Sequence, residues 1–151
     1  TSALIAWCAS LGGLVEPRIA AALHRYGLEI GYAFQIADDV LDYTSGVDQT
    51  GKARGQDLRD GKLTLPMILA CSHDAGLRRR LMQLLHAGPP VDLDAATDLV
   101  TRVGASSAVE QASAVAEAHA ATAIAQLAVL PPSPAREALA ELARYVARRR
   151  T

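Results

Sequence analysis

Residues 34–66 read FQIADDVLDYTSGVDQTGKARGQDLRDGKLTLP, and three carboxylates, Asp38, Asp39 and Asp42, fall inside the apolar run that opens this stretch. An α-helix advances about 100° per residue, so Asp38 and Asp42 lie one turn apart on a single face while Asp39 flanks them. Like charges at i and i+4 cost a helix roughly 0.2–0.5 kcal/mol, and partial burial raises that cost. A compensating cation accounts for the cluster; the competing reading is the solvated polar face of an amphipathic helix. All three acids are hard oxygen donors, which suit Mg²⁺ better than zinc or copper.

Upstream, the run belongs to a long helix predicted from Pro17 to Tyr43. Pro17 suits a first helical turn, and Ile19, Leu23, Tyr26, Ile30, Ala33, Phe34, Ala37 and Leu41 keep the 3–4 spacing of a packed face. Gly27 and Gly31, four residues apart, are read as a place where another helix packs closely. Downstream, residues 44–61 are rich in Gly, Asp, Ser and Thr and predict an irregular loop. Its length alone implies a role. Thr64-Leu65-Pro66 then starts a helix through about Ser72, with Pro66 tolerated in the first turn.

Further helices are predicted at 2–11, 76–87, 93–103, 106–129 and 134–149, separated by Gly12-Gly13, Gly88-Pro89-Pro90, Gly104 and Pro131-Pro132-Ser133-Pro134. Alanine fills eleven of the twenty-five positions from Ala105 to Val129, which favours helix and lets neighbours approach closely. Half of the residues are apolar and only 4% aromatic, so the fold class is all-α rather than a sheet of β-branched and aromatic side chains. At 151 residues the chain can bury enough surface for one domain, expected to span 1–151.

The formal charge of −1 gives no global attraction to nucleic acid or anionic membrane. Its distribution is uneven. Residues 1–50 hold six acids against two arginines, net −4, and residues 51–80 hold seven bases against three acids, net +4. An acidic helix is thus followed by a basic segment, although Arg78, Arg79 and Arg80 are read as a solvated helix end. No run of about 20 apolar residues exists, so no transmembrane segment is expected. Cys8 and Cys71 lack motif spacing and sit among apolar neighbours; they read as buried free thiols of a reducing, cytoplasmic protein. Trp7 reads as core. His24, His73, His86 and His119 show no metal-ligand spacing and read as structural or surface residues.

Phe34-Gln35, Asp38-Asp39, Asp42, Gly51-Lys52, Gly55, Asp57 and Gly61-Lys62-Leu63-Thr64-Leu65-Pro66 together resemble the second aspartate-rich region of the trans-isoprenyl (polyprenyl) diphosphate synthases, FQxxDDxLDxxG followed by GK and GxDLxxGKxTLP. Ser2 to Gly13 resemble that family's helix after its Lys-Thr pair, and LPPSPAREALAELARYVARR at 130–149 resembles its C-terminal helix. The resemblance implies about half of an isoprenoid-synthase-type helical bundle. It also implies Mg²⁺-dependent elongation of an allylic diphosphate by isopentenyl diphosphate. Residue by residue, Asp38 would be the principal Mg²⁺ ligand, with Asp39 and Asp42 completing its shell directly or through water. Lys52 would reach the allylic diphosphate, Gln35 would hydrogen-bond near the reacting allyl end, and Thr1 stands where the family has the threonine of its Lys-Thr pair. Phe34 would line or close the hydrophobic cavity, and Lys62 and Asp57 are weaker candidates that would brace the loop.

The family uses two aspartate-rich motifs, and no other DDxxD or DDx4D occurs in these 151 residues. The resemblance therefore implies a C-terminal half, and the absence of an initial Met suggests a processed, truncated or partly captured chain. Such a half is expected to be inactive as a synthase by itself and to associate, as a homodimer or other homo-oligomer or with an N-terminal half. Two alternatives are a non-catalytic or regulatory partner subunit, and a structural helical remnant that dimerises.

Overall fold

A computed structural model describes residues 1–44 and 55–149, and no strand occurs among them. The helices are α1 (Ser2–Ser10), α2 (Pro17–Thr44), α3 (Gln56–Arg59), α4 (Leu65–His73), α5 (Ala75–His86), α6 (Leu93–Gly104), α7 (Ala108–Gln126) and α8 (Pro134–Arg148), with 3₁₀ turns at Leu11–Gly13 and Leu127–Val129. The chain forms two compact units, residues 1–37 with 113–149 and residues 38–112, so the divisions fall inside α2 and α7.

In the first unit, missing side chains allow the helices to pack. A Cβ on Gly27 would lie 2.5 Å from the Cα of Ala6, and one on Gly31 would lie 2.5 Å from the Cα of Ser2. The two glycines are therefore where α1 lies against α2, as their spacing predicts. Ala116, Ala120 and Ala123 are buried along α7, spaced four and three residues apart as one helical seam requires. The core joins Leu23, Tyr26, Ile30 and Ala33 of α2 to Ala120, Ala123 and Leu127 and to Ala143, Val146 and Ala147 of α8. Polar ties complete it: Tyr26 donates its hydroxyl to the Leu139 carbonyl at 2.8 Å, and His119 Nδ1 meets Glu29 Oε2 at 2.6 Å. The start of α8 is capped by Ser133, whose Oγ accepts the Arg136 N–H at 3.2 Å, with Pro134 in the first turn.

Two expectations for this unit are corrected. Trp7 is 59% exposed rather than core, and Cys8 is exposed rather than buried. Both lie on the face of α1 that carries exposed Leu4 and Leu11, whereas the buried face is the one Ala6 presents. Hydrophobicity marked these residues as suited to burial without saying which face of α1 finds a neighbour.

The second unit packs larger side chains. Leu58, Met67, Leu99, Val100 and Val103 are fully buried, joined by Tyr43, Leu77 and Leu81. Asp74 caps α5 by accepting the Leu77 N–H at 2.9 Å, and Asp92 caps α6 by accepting the Ala95 N–H at 3.0 Å. Cys71 is buried, as expected. Arg78, Arg79 and Arg80 are exposed, but in the body of α5 rather than at its end. The segment expected to be irregular through residue 61 contains α3. The helix is closed by Gly61, at φ +78°, which lets the Gly61 N–H reach the Leu58 carbonyl at 2.9 Å and the Lys62 N–H reach the Asp57 carbonyl at 2.8 Å. This is a Schellman closure, in which glycine takes the left-handed position after the last turn.

Candidate functional site

The end of α2 carries the acidic cluster. Tyr43 turns into the second unit's core with Val40 packed against it, and Asp38 is left exposed while Asp39 and Asp42 are half-buried. Among the described residues, no group of three His, Cys, Asp or Glu converges on a point that could hold a metal ion. The three carboxylates thus share a helical turn without pointing at one centre.

Asp42 is set apart from the other two. Its Oδ2 is buried with no hydrogen-bond partner. Burial pushes its carboxyl above the ordinary range, and the Asp57 carboxylate pushes it further in the same direction; hydrogen bonds from the backbone N–H groups of Gly55, Asp57 and Gln56 pull against both. Beside it, the Tyr43 hydroxyl meets Thr64 Oγ1 at 2.6 Å in a buried contact. Burial foremost pushes the Tyr43 phenol up to about 12.

The downstream half of the motif divides into core and surface. Leu58, Thr64 and Pro66 are buried, so these positions build the unit. Lys62 is exposed and its Nζ lies 3.0 Å from Asp57 Oδ1 and 3.6 Å from Asp60 Oδ2. The Asp57 hydrogen bond and charge hold Lys62 above the ordinary lysine range. Lys62 and Asp57 thus pair with each other. Gly51-Lys52 lie outside the described residues.

The remaining candidates belong to the first unit. Gln35 is exposed and Phe34 half-buried against that unit's core, and the Arg149 guanidinium lies 5.3 Å from the Phe34 ring centroid. Thr1 is exposed at the N-cap of α1; its carbonyl accepts the Ile5 N–H at 3.1 Å and its side chain makes no capping bond. Sequence reasoning missed the Arg149–Phe34 stack and the Tyr43–Thr64 bond. A hollow of about 170 Å³ in the second unit, lined by His73, Asp74, Leu77 and Arg102 among others, includes none of the acidic-cluster residues.

With this geometry in view, the chain was compared with known proteins. The family model described as Polyprenyl synthetase matches residues 1–103. A short chain isoprenyl diphosphate synthase from Methanothermobacter thermautotrophicus is 40% identical over 99% of this chain and 46% of that protein. The crystal structure of heptaprenyl diphosphate synthase from Staphylococcus aureus superposes on all of this chain and 48% of its own, with TM-score 0.92 and 27% identity. That of polyprenyl synthase from Caulobacter crescentus CB15, complexed with calcium and isoprenyl diphosphate, covers 98% of this chain and 46% of its own, with TM-score 0.82 and 34% identity. The chain therefore has the all-α isoprenoid synthase fold and spans about half the length of the relatives it matches. By the match over most of its length and the superposition over all of it, the chain belongs to the polyprenyl synthetase family.

Proposed function

We propose that this chain is the C-terminal half of a trans-prenyl diphosphate synthase, which elongates an allylic diphosphate with isopentenyl diphosphate in a Mg²⁺-dependent reaction. The observation that carries the reading is the acidic turn at the end of α2, where Asp38 is exposed and Asp39 half-buried at the head of a unit whose core includes Leu58, Thr64 and Pro66 of the same motif. The Caulobacter relative's complex with calcium and isoprenyl diphosphate supports it, since that ligand pair is the chemistry proposed here.

The donor set fits Mg²⁺. One or two carboxylates with waters and substrate phosphates are its usual environment, and Asp38 and Asp39 supply the two. When bound, the ion would stabilise the charge that develops on the departing diphosphate. The protein's own part is to hold those carboxylates on a helix anchored by Tyr43, so that they need not reorganise when the diphosphate arrives. Asp42 lies one turn further along the same helix, half-buried. Gln35, one turn before Asp38 in helical register, offers a neutral amide to the allyl end. Lys52 offers an ammonium to the allylic diphosphate as a point charge. Lys62 would act on the loop through Asp57 rather than on substrate, and Phe34 would close the apolar side beneath Arg149.

By itself the chain is expected to give no synthase turnover. Exposed Leu4, Trp7, Leu11, Leu14 and Val15 in the first unit support association with an N-terminal half or a second copy. Titration calorimetry with Mg²⁺ and inorganic diphosphate tests the metal assignment. Uptake that requires both ligands and is abolished in Asp38→Asn is the expected result. Equal uptake by wild type and Asp38→Asn would overturn it.

A further inference from the structure

We propose that the hollow of about 170 Å³ in the second unit is a binding site for a phosphate group, separate from the acidic turn of α2 and independent of any metal. Its volume is that of about six waters in the liquid, which admits an ion of phosphate size. Ala70, Leu77 and Ala108 give it an apolar wall drawn from α4, α5 and α7. Polar side chains complete the lining, and an apolar concavity with a few placed polar groups is the usual form of a small-ligand site. Arg102, in the last turn of α6, brings a guanidinium, whose planar fork of N–H donors matches the oxygens of a phosphate. His73, the last residue of α4, brings an imidazole.

The polar groups around the hollow divide into those already committed and those able to turn to a ligand. Ser106 is committed: its hydroxyl donates to the Val103 carbonyl at 2.7 Å and accepts the Ala108 N–H at 3.3 Å, which fixes the turn between α6 and α7. Asp74 is committed through Oδ1, which caps α5. Its Oδ2 lies 3.9 Å from Arg102 Nη2, beyond hydrogen-bond reach. Both side chains of that pair are about half exposed, and an exposed ion pair contributes little, so Arg102 can turn to an incoming anion at small cost. Ser107 Oγ accepts from Gln111 Nε2 at 3.0 Å and keeps its own O–H proton to donate. Arg102, His73 and Ser107 thus offer donors from three different segments, which suits a tetrahedral oxyanion better than a planar carboxylate. Asp74 opposes an anion. Its charge therefore sets a test that a merely structural pair would not meet, because removing that charge should tighten the site.

The test is a titration of the whole chain with inorganic phosphate and, separately, with phenyl phosphate, in the presence of a chelator and followed by amide chemical shifts. Saturating shifts at His73 and at Ser106–Ala108 are the expected result. Arg102→Gln should weaken uptake by about tenfold, as the loss of a charge-assisted hydrogen bond implies. Asp74→Asn keeps a capping oxygen and removes the charge, so it should tighten uptake by about threefold. Asp38→Asn should titrate as wild type does. Tighter uptake of inorganic phosphate would make the free ion the ligand; tighter uptake of phenyl phosphate would make it a phosphate monoester whose organic part lies on Ala70 and Leu77. The absence of saturating shifts at these amides, or equal uptake by wild type and Arg102→Gln, would overturn the proposal. Unchanged or weaker uptake in Asp74→Asn would overturn it too, whether or not Arg102→Gln folds. Loss of uptake in Asp38→Asn would move the phosphate to the acidic turn and do the same. With the chelator present, each of these outcomes stands apart from the synthase reading, whose own test requires Mg²⁺.

Discussion

The two units hold their helices together by opposite means. Residues 1–37 with 113–149 rely on absent side chains: Gly27 and Gly31 bring α1 onto α2, and an alanine seam runs along α7. Residues 38–112 rely on large side chains and placed polar groups, with Leu58, Met67 and Leu99 fully buried and Tyr43 bonded to Thr64 inside the core. Close backbone packing gives many small dispersion contacts. A unit of short helices with many ends offers capping groups and turns, and the acidic turn lies there. The first unit should therefore break when atoms are added, and the second when they are removed.

The largest effect is expected from Leu99→Ala in the second unit, where Leu99 is 0% exposed. The lost transfer energy and the cavity left behind should cost about 3 kcal/mol in denaturant unfolding. A loss under 1 kcal/mol would mean that this core collapses readily around a void, and the contrast between the units would weaken.

Each unit also holds one buried tyrosine whose phenol burial has pushed up to about 12, Tyr26 in the first and Tyr43 in the second. The folded value lies above the ordinary value of 10.0, so between these limits the folded chain holds a proton that the unfolded chain has released. The stabilisation is complete below pH 10 and is lost as pH rises toward 12, by about 2 kcal/mol for each tyrosine. Tyr26→Phe and Tyr43→Phe should each flatten the alkaline limb of a stability–pH curve by a similar amount. An unchanged limb in either variant would show that its phenol ionises without opposing folding.

Gly27→Ala gives the smallest effect and the clearest sign test. Helix propensity favours the alanine by about 1 kcal/mol, whereas a methyl 2.5 Å from the Cα of Ala6 meets backbone that cannot rotate away. The clash should prevail, leaving a net loss of about 1 kcal/mol by thermal or denaturant unfolding. Gly12→Ala serves as the control, because its methyl would meet only the Leu23 Cδ1 atom at 3.4 Å. A stabilised Gly27→Ala would show that α1 can shift on α2, against the rigid packing inferred here.

Most of the fold was legible because its signals are local. Pro17, Pro66 and Pro134 mark first turns, Gly88 and the 131–134 segment mark breaks, and the observed helices begin and end within about two residues of the predicted bounds at nearly every position. The acidic turn was legible as well, since charges in an apolar helix need a reason whatever surrounds them. α3 was missed because four residues make barely one turn and its N-cap, Gly55, offers no side chain. Trp7 and Cys8 were misplaced because an apolar residue shows a preference for burial but not the neighbour that would satisfy it.

The sequence by itself determined the all-α class, the helix boundaries, the close approach at Gly27 and Gly31 and the acidic motif at the end of α2. Only the tertiary structure decided how three chemically identical carboxylates differ. Periodicity places Asp38 and Asp42 on one helical face, but burial depends on what packs against that face, and Asp42 is half-buried where Asp38 is exposed. Spacing along a helix is a local property, while desolvation and hydrogen bonding are fixed by contacts between segments distant in the chain.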